Sequence, residues 1–592
     1  MNRVQTKHMT WLVAAVVLLT HATYLANGFV WLDHGDIEGK RAILPLGSLS
    51  HALTERFGAT GYYRPLVTAI HSVTHAMFGE QAWGHHLVNV ILHLLVSVVA
   101  ARFVQCFMKL ERREALMVSL IVGVHSANWF TVGTISNVQE PLVVVWTMLA
   151  VINYAQWRVL GNDVPASVPL KANLRKKSKN SPGATVRPSR HGSPRKTWRI
   201  PGLSVKKLRD TLSHYIFGWP GVWALGAFIL ALLSKETAIV WVPGLILLYE
   251  ITSRPGDTRR KTLAAWWVVA ALISAAYIIT HIAVVPEVWR PGAPTLSWPE
   301  AIGTRLQAVG LLFIRLVNVM PPSASDAIRV KVMSSEGLVA VLVMTAALWY
   351  GLTRGLRSEG GKTAVILALM LAPALNLVPL PRFIAPHYTY FAVVGIAAVM
   401  VILVRTFLTW RLAKVMLACV TLWIIAMSAV TFHAGSRQRD DATLFEPEVA
   451  RDPYFKEGHY YLGDYYFQRG SYARARQAYE AALTATPNVL AFVDHAAAHL
   501  NYAGVLVAQG LLDDADATLA RLSGKVSMID QRKVDYNRAL IAYRKEDFTR
   551  TVEFLRLHDW AWREPILLHV AALRKLGRNA EAEAILQTLR SN

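Results

Sequence analysis

The sequence predicts an all-α protein with about eleven transmembrane helices, followed by a C-terminal region of helical repeats. Apolar residues make up 53% of the 592 residues and charged residues only 17%, whereas about 25% of a typical soluble domain is charged. Apolar stretches of spanning length recur up to residue 432, and the composition changes abruptly after Thr431. These observations exclude a series of separate soluble domains.

Eleven stretches are long and apolar enough to cross a bilayer as α-helices, which takes about 17–25 residues. They lie near residues 10–28, 84–106, 114–132, 138–157, 214–234, 236–252, 262–285, 334–354, 362–380, 387–406 and 411–432. We interpret the first as a helix rather than a signal peptide, because no small-residue cleavage site follows Leu25-Ala26-Asn27-Gly28.

Basic residues in alternate loops set the predicted orientation. Lys and Arg are in excess in cytoplasmic loops, so we place Arg3 and Lys7 in the cytoplasm. All the loops that this places in the cytoplasm are basic. The short ones hold Lys109, Arg112, Arg113, Arg254, Arg259, Arg260, Lys261, Arg354, Arg357, Lys362, Arg405, Arg411 and Lys414. An odd number of spans places the C-terminal region outside the cytoplasm.

The net charge of +23 does not indicate a nucleic-acid partner. Between Trp157 and Asp210 there are 14 Lys or Arg residues and two acidic ones, which supply about half of the excess. Residues 158–210 are rich in Lys, Arg, Ser and Pro, which predicts a disordered cytoplasmic insertion beside anionic lipid headgroups. A nucleic-acid-binding face would instead cluster its charge on a folded surface. Cys106 and Cys419 lie in apolar segments and form no metal or disulfide motif.

Two long loops are predicted on the outer side of the membrane. The first runs from Phe29 to about Trp83. The second, residues 286–331, contains an amphipathic stretch from Ala301 to Met320 that we expect to form an interfacial or re-entrant helix.

One clear repeat with the tetratricopeptide (TPR) period of 34 residues follows the last span. Its first helix is predicted to carry Leu462, Gly463 and Tyr466, its second helix Ala475, Tyr479 and Ala482, and Pro487 closes it. Weaker copies follow. We therefore divide the chain into residues 1–435 and residues 436–592, and expect the second part to bind a protein or peptide.

Acidic, basic and aromatic residues are predicted to meet at the outer membrane face. The sequence GFVWLDHGDIE places Asp33 and Asp36 after the first span. The same side carries Tyr62-Tyr63-Arg64-Pro65, His85-His86 and Glu140. Converging polar groups at one membrane face indicate a functional site. We do not assign His85, His86 and His93 to a metal, because the spacing of zinc-binding helices is absent.

Five motifs in order, followed by TPR repeats, resemble membrane glycosyltransferases of the GT-C type. They are GFVWLDHGDI, YYRPLV, WGHHLVNVILHLLVS, LLSKETAIVWVPGLILLYE and APHYTYF. The resemblance is to bacterial TPR-bearing relatives of the transmembrane-and-TPR O-mannosyltransferases, and more distantly to protein O-mannosyltransferases. It implies a GT-C-type membrane bundle in a bacterial inner membrane and an extracytoplasmic TPR α-solenoid.

The resemblance implies transfer of a sugar, such as mannose, from a polyprenyl-phosphate carrier to Ser/Thr hydroxyls of proteins. In this family an acidic residue of the first outer loop is the general base, and two acids usually stand together there. Here the pair reads Asp33-His34 or, without a gap, Leu32-Asp33. Asp33 is the carboxylate in both alignments, so we expect it to be the base in an inverting reaction. Asp36 and Glu140 are candidates for a second acid.

The anionic leaving group of this reaction needs a cation or a divalent metal. Arg64 is the first candidate and Lys235 the second, although Lys235 is equally expected to snorkel at the interface. His387 stands where the family commonly has Arg, and Arg382 could compensate. The predicted substrate- and phosphate-binding set is completed by His34, Tyr63 and His86. The need for a metal stays open, and no cofactor besides the donor is assigned.

Two alternatives also stay open. The acceptor could be an envelope glycan or lipid, since nothing in the sequence selects a protein. The chain could also be a non-enzymatic scaffold, because the second acid of the pair is missing and His387 replaces an Arg. A transporter is disfavoured, because no two-half repeat with matched broken helices is evident.

Overall fold

The computed structural model describes residues 3–59, 61–160, 219–253, 260–285, 296–376, 380, 382–407, 413–522, 528–560 and 563–591. Over these residues the elements are helices, joined by loops, and one ribbon of two short strands, so the all-α prediction is confirmed. Of the predicted basic insertion 158–210, residues 161–210 lie outside the described residues. Residues 286–295 of the second outer loop also lie outside them.

Each of the eleven predicted apolar stretches contains an α-helix. The helices up to residue 435 are α1 (Arg3–Thr20), α2 (Pro65–Phe78), α3 (Ala82–Met108), α4 (Arg112–Val124), α5 (Trp129–Gly133), α6 (Gln139–Leu160), α7 (Trp219–Ser234), α8 (Ala238–Ser253), α9 (Arg260–Val284), α10 (Trp298–Val317), α11 (Ser335–Arg354), α12 (Glu359–Leu371), α13 (Ala392–Phe407) and α14 (Ala413–Gly435). Of these, α2 lies in the first outer loop and α10 in the second.

Five helical stretches among the described residues are long and apolar enough to cross a membrane: Ala82–Met108, Ile135–Val159, Leu263–Val284, Ser335–Arg354 and Ala418–Gln438. The bent pair Arg112–Val124 and Ser126–Gly133, with a 44° bend, adds a sixth if it is one span. Others are short: α12 has 13 residues, or about 20 Å at 1.5 Å per residue, against a hydrocarbon core of about 30 Å. The count of eleven spans stays a prediction.

Helix α6 is the central helix of the bundle. The apolar stretch that contains it is 89% buried, whereas the corresponding stretch of α9 is 11% buried. It packs against α3, α7 and α8, and Val143, Met148 and Tyr154 belong to the main core. Outer helices leave large apolar side chains such as Leu272 and Ile279 exposed, which is typical of a lipid-facing surface.

Helices α10 and α11 approach each other closely through glycines. A Cβ atom on Gly310 would lie 1.8 Å from the carbonyl oxygen of Glu336, and one on Gly303 would lie 2.2 Å from that of Val332. The amphipathic stretch 301–320 is therefore helical as far as Val317, and this helix packs along α11. Its interfacial position stays a prediction.

The C-terminal region consists of helices that pack in antiparallel pairs. The helices are α15 (Asp441–Arg451), α16 (Lys456–Gln468), α17 (Tyr472–Leu483), α18 (His495–Ala508), α19 (Leu512–Ala520), α20 (Met528–Arg544), α21 (Phe548–Arg556), α22 (Arg563–Lys575) and α23 (Asn579–Ser591). In the pair α16–α17, Leu462 and Ala475 are buried, and the ring of Tyr479 lies against Gly463. The predicted two-helix repeat is thus confirmed here, while a continuous solenoid stays a prediction.

The C-terminal helices dock on both outer loops. Strand β1 (Ile328–Arg329) pairs antiparallel with β2 (Val489–Leu490). The Gly28 N–H donates to the carbonyl of Arg439 at 3.1 Å. A second apolar core joins the parts; it includes Trp31, Trp129, Ala324, Phe445 and Phe455. The two loops and the C-terminal helices therefore lie together at one end of the bundle. The division into domains 1–435 and 436–592 stays a prediction.

Candidate active site

Asp33 is fully buried in the turn that follows α1. Its Oδ1 accepts from the N–H and the hydroxyl of Ser136 at 2.7 and 2.6 Å. Its Oδ2 accepts from the N–H groups of Ile135 at 3.3 Å and Val30 at 3.4 Å. Burial raises the pKa of Asp33 to about 7, although these hydrogen bonds act in the opposite direction. A carboxyl group that titrates near neutral pH suits a general base.

Asp36 lies in a π turn, His34–Glu38, and shares a partner with Asp33. Its carboxylate is hydrogen-bonded to the Ser136 side chain, and burial raises its pKa to about 6 against the charges of Arg41 and Arg64. Its Oδ1 lies 3.5 Å from Nη2 of Arg41. Asp33 and Asp36 thus both lie beside Ser136, and nearby cations act on Asp36.

The turn that carries Asp33 is held from the C-terminal region. Trp31 has a left-handed backbone, with φ at 57°, which is uncommon for a residue with a side chain. Its N–H donates to Oδ1 of Asp441 at 2.9 Å, and Nε2 of His34 lies 3.0 Å from Oδ2 of Asp441. Burial lowers the pKa of His34, but hydrogen bonds and charges from Asp441 and Glu38 outweigh it and raise the pKa to about 9. His34 is therefore an imidazolium at neutral pH.

Arg64 forms a two-point ion pair with Glu236. Nη2 lies 2.9 Å from Oε1 and Nε lies 3.3 Å from Oε2. The guanidinium also lies over the ring of Tyr62, 4.0 Å from its centroid. The Arg64 side chain is 8% exposed and that of Glu236 is 32% exposed. Since phosphate and carboxylate both fit the guanidinium fork, a ligand that approached past Glu236 could replace it.

A second ion pair joins Lys235 to Glu140. Nε2 of His387 lies 3.9 Å from Oε1 of Glu140, and Nδ1 of His387 is buried with no hydrogen-bond partner among the described residues. The charges of Lys235, Arg382 and Arg64 all act on His387. Three residues predicted from separate motifs thus meet at the start of α6, the turn between α7 and α8, and the turn before α13.

Arg382 is the third paired cation, and its partner lies on α16. Nε and Nη2 lie 3.0 and 2.5 Å from the carboxylate oxygens of Glu457. The guanidinium lies 4.9 Å from the ring centroid of Trp31 and 4.7 Å from that of Phe492. Asp326 is buried beside this pair, and burial together with the charge of Glu457 raises its pKa to about 7.

Two predicted site residues have other partners. The Tyr63 hydroxyl donates to the carbonyl of Leu53 at 2.9 Å. Nε2 of His86 lies 3.1 Å from the carbonyl oxygen of Gly28. Both hydrogen bonds therefore support the chain around the first outer loop. Among the residues that the structure describes, no three His, Cys, Asp or Glu side chains are grouped to hold a metal ion, so we assign no metal ligand and derive no step through a metal.

Sequence reasoning missed the carboxylates that pair with Arg64 and Arg382, whereas Glu140, which pairs with Lys235, was among the predicted residues. Glu236 follows Lys235 within the SKET sequence, so this motif could have pointed to it. Asp441 and Glu457 lie in helices that were assigned only to protein binding. Asp326 lies in an irregular loop segment and carries no sequence signal.

Comparisons with known proteins give two local similarities and a structural likeness. The tetratricopeptide repeat family model matches residues 466–526. The chain carries a tetratricopeptide repeat segment. It is 31% identical over 98 residues to Protein O-mannosyl-transferase TMTC2 of Mus musculus; these residues are 15% of this chain and 12% of the mouse protein. The crystal structure of the Archaeoglobus fulgidus oligosaccharyltransferase in the apo form superposes with a TM-score of 0.41 at 10% identity, covering 82% of this chain and 60% of that chain.

The two local similarities agree with the resemblance stated from the motifs. The repeat match lies in the region where the TPR period was found, and the mouse relative carries the name of an O-mannosyltransferase. The chain spans 12% of the length of that relative. The roles of the individual site residues stay predictions.

Proposed function

We propose that this protein is a membrane glycosyltransferase that moves a sugar, such as mannose, from a polyprenyl-phosphate carrier to Ser/Thr hydroxyls of a protein acceptor. One observation carries the proposal. Cations from three separate chain segments, Arg64, Lys235 and Arg382, lie at the same end of the bundle as the carboxyl groups of Asp33 and Asp36. General base and leaving-group cations are the two elements that this reaction needs.

In the proposed reaction, the acceptor oxygen attacks the anomeric carbon of the sugar from the face opposite the phosphate. A bond forms between that oxygen and the anomeric carbon, and the bond from the anomeric carbon to the phosphate oxygen breaks. The hydroxyl proton passes to Asp33, and the leaving polyprenyl phosphate keeps the electron pair. The Ser136 hydroxyl, which donates to Asp33 at 2.6 Å, occupies the position that an acceptor hydroxyl would take.

The leaving phosphate would be held by cations that are now paired with carboxylates. Arg64 is the favoured one, because its partner Glu236 is the most accessible carboxylate of the three pairs. Exchange of Glu236 for phosphate replaces one anion on the guanidinium fork by another, so Arg64 is never left buried without a counter-charge. Lys235 and His387 lie beside this position.

Asp36 is a second candidate for the base, and a specific observation favours it. The charge of Arg64 acts on Asp36, whereas no cation is among the causes that shift Asp33. A base must reach a hydroxyl that is aligned with the leaving group, which places it near the phosphate-binding cation. Asp33 has the pKa closer to neutral, and Asp36 is the carboxyl group on which the charge of Arg64 acts.

The proposed setting is a bacterial inner membrane, with the N-terminus in the cytoplasm and the C-terminal helices outside. The basic loops support this orientation. The TPR segment, residues 466–526, supports a polypeptide acceptor, since such repeats form binding surfaces for proteins and peptides.

The test is transfer by the purified chain in lipid nanodiscs, with a polyprenyl-phosphate mannose donor and Ser/Thr peptides. We expect Asp33→Asn to abolish transfer while the protein stays folded. Asp36→Asn is compared in parallel. If Asp36→Asn is inactive while Asp33→Asn still transfers the sugar, the base is Asp36. Glu55→Gln, at an exposed carboxylate of the same loop, is the matched control. Full transfer by both Asp variants would overturn the proposal.

A second candidate function is a non-enzymatic scaffold, and the closed state of the site favours it. All the hydrogen bonds of Asp33 are made within the chain, and the three cations are each paired. A scaffold predicts that no lipid-linked sugar is turned over, whereas binding of protein partners persists. Any measured turnover by the purified protein excludes it. Changed envelope glycans with unmodified proteins would instead favour a glycan or lipid acceptor.

A further inference from the structure

A cavity of about 530 Å³ lies where the second outer loop meets the C-terminal helices. It is lined by residues 329–331 on one side, by residues 485–489 on the other, and by Tyr454. Its volume falls within the range of about 300–1,000 Å³ that is usual for ligand sites. Because β1 and β2 belong to its walls, the cavity exists only when the two parts of the chain are docked.

The charged side chains that line the cavity are both cations. Arg329 and Lys331 are exposed, and neither forms a salt bridge within the part of the chain that the structure describes. No carboxylate is among the described lining residues. The guanidinium of Arg329 lies 5.1 Å from the ring centroid of Tyr454, which fixes one cation at the wall. The cavity therefore favours an anionic ligand.

The cavity also offers an unused polar atom. The Thr486 hydroxyl oxygen is buried and has no hydrogen-bond partner among the described residues. Next to it, the Asn488 carbonyl accepts the Val330 N–H at 2.7 Å, and the backbone of Asn488 is left-handed, with φ at 61°. A buried polar group without a partner is costly, and a ligand with its own polar groups would satisfy it.

A short run of contacts connects the cavity to the candidate active site. Three residues before Arg329, Asp326 accepts the Phe492 N–H at 2.9 Å. The Phe492 ring lies under Arg382, and Arg382 lies over Trp31, two residues from Asp33. An extended polypeptide that followed this route would reach from the cavity toward Asp33.

We propose that this cavity binds an acidic side chain of an extended polypeptide through Arg329, Lys331 and the Thr486 hydroxyl. A polypeptide is favoured over a lipid headgroup because six of the nine lining residues belong to the C-terminal region, whose described residues after 438 contain no candidate span. As a feature of the acceptor, an Asp or Glu on the same polypeptide as the modified Ser/Thr, the inference rests on the proposed function. As a binding site, it does not.

The test measures binding without any donor, so its outcome is separate from that of the transfer assay. The full chain in nanodiscs of zwitterionic lipid is titrated with a fluorescent Ser/Thr peptide containing two Asp residues, and with the same peptide carrying Asn. We expect the acidic peptide to bind about tenfold more tightly, since hydrogen bonds to charged groups are the stronger ones. The double variant Arg329→Gln/Lys331→Gln should bind both peptides equally.

The matched control is Arg521→Gln/Lys575→Gln, which removes the same charge from two exposed positions of the C-terminal helices outside the cavity. This control should keep the preference for the acidic peptide. Equal binding of the two peptides by the unmodified chain would overturn the proposal, as would an unchanged preference in the Arg329/Lys331 variant. Displacement of the peptide by anionic lipid in the nanodisc, but not by free acidic peptide, would assign the cavity to a lipid headgroup and overturn it as well.

Discussion

Asp33 combines two opposing effects in one carboxyl group. Complete burial disfavours its charged form, while three N–H groups and the Ser136 hydroxyl favour it. Burial wins, because the pKa rises to about 7. The negative charge at position 33 therefore costs stability at neutral pH, which is a cost that functional sites often carry.

The folded-state pKa of Asp33 is raised, which fixes the sign of a pH effect. The stabilising contribution of its protonated form is complete below pH 4 and is lost as the pH rises to about 7. We expect Asp33→Asn to gain stability relative to the unmodified chain between pH 5 and pH 8, by about 1–3 kcal/mol. Thermal unfolding of the variant and of the unmodified chain at pH 5 and pH 8 measures this gain. An equal stability difference at the two pH values would contradict the prediction.

Arg64 gives a prediction about geometry at constant charge. Arg64→Lys keeps the cation but loses the two-point contact with Glu236. We expect a loss of about 1–2 kcal/mol in the free energy of unfolding and a weaker interaction with the donor, measured as a raised KM. Arg56→Lys, at an exposed position of the same loop, is the control and should change neither quantity. Equal effects of both substitutions would argue against a special role for Arg64.

At the scale of elements, the α10–α11 contact tests how backbone packing limits substitution. A Cβ atom at Gly310 would overlap the backbone of α11, which cannot rotate away. We expect Gly310→Ala to destabilise the protein by about 1–3 kcal/mol in thermal unfolding. Gly226→Ala in α7 meets open space and should be neutral or stabilising by up to about 1 kcal/mol, because Ala favours the helix. Similar effects at both sites would disprove the close crossing.

The first turn of α15 gives another prediction at this scale. Asp441→Asn removes the charge that pairs with His34 and weakens the support of the strained Trp31 backbone. We expect faster tryptic cleavage at the exposed residues Lys40 and Arg41, because local opening of the loop becomes less costly. Asp513→Asn, whose carboxylate pairs with Lys545 at the surface, is the control. Equal cleavage rates in the two variants would show that Asp441 does not hold the loop.

Local features were predictable from the sequence, whereas the pairing of distant charges was not. The hairpin α16–α17 could be recognised because Gly463 and Tyr479 meet within one repeat. The cations Arg64 and Arg382 were selected, but their partners Glu236 and Glu457 depend on how separate elements pack. The spans were located as helices, but a helix as short as the 13-residue α12 leaves their number unconfirmed, since hydropathy does not fix helix ends.

At the scale of the whole molecule, the contacts between the first outer loop and α15 predict a shared compartment. In a background without Cys106 and Cys419, single cysteines at Glu55 and Arg521 should react with a membrane-impermeant maleimide from the same side. A cysteine at Arg357, in a loop predicted to be cytoplasmic, should react only after permeabilisation. Labelling of positions 55 and 521 from opposite sides would be incompatible with the hydrogen bond between Trp31 and Asp441.

That hydrogen bond also bears on biosynthesis. Trp31 and Asp441 are separated by 410 positions, so a ribosome completes every apolar segment before the loop can receive its partner. A chain that ends prematurely at residue 435 would insert its helices yet leave the backbone at Trp31 unsupported. Nascent and truncated products would therefore lack an assembled site, which delays any chemistry at this surface until translation has passed the last membrane helix.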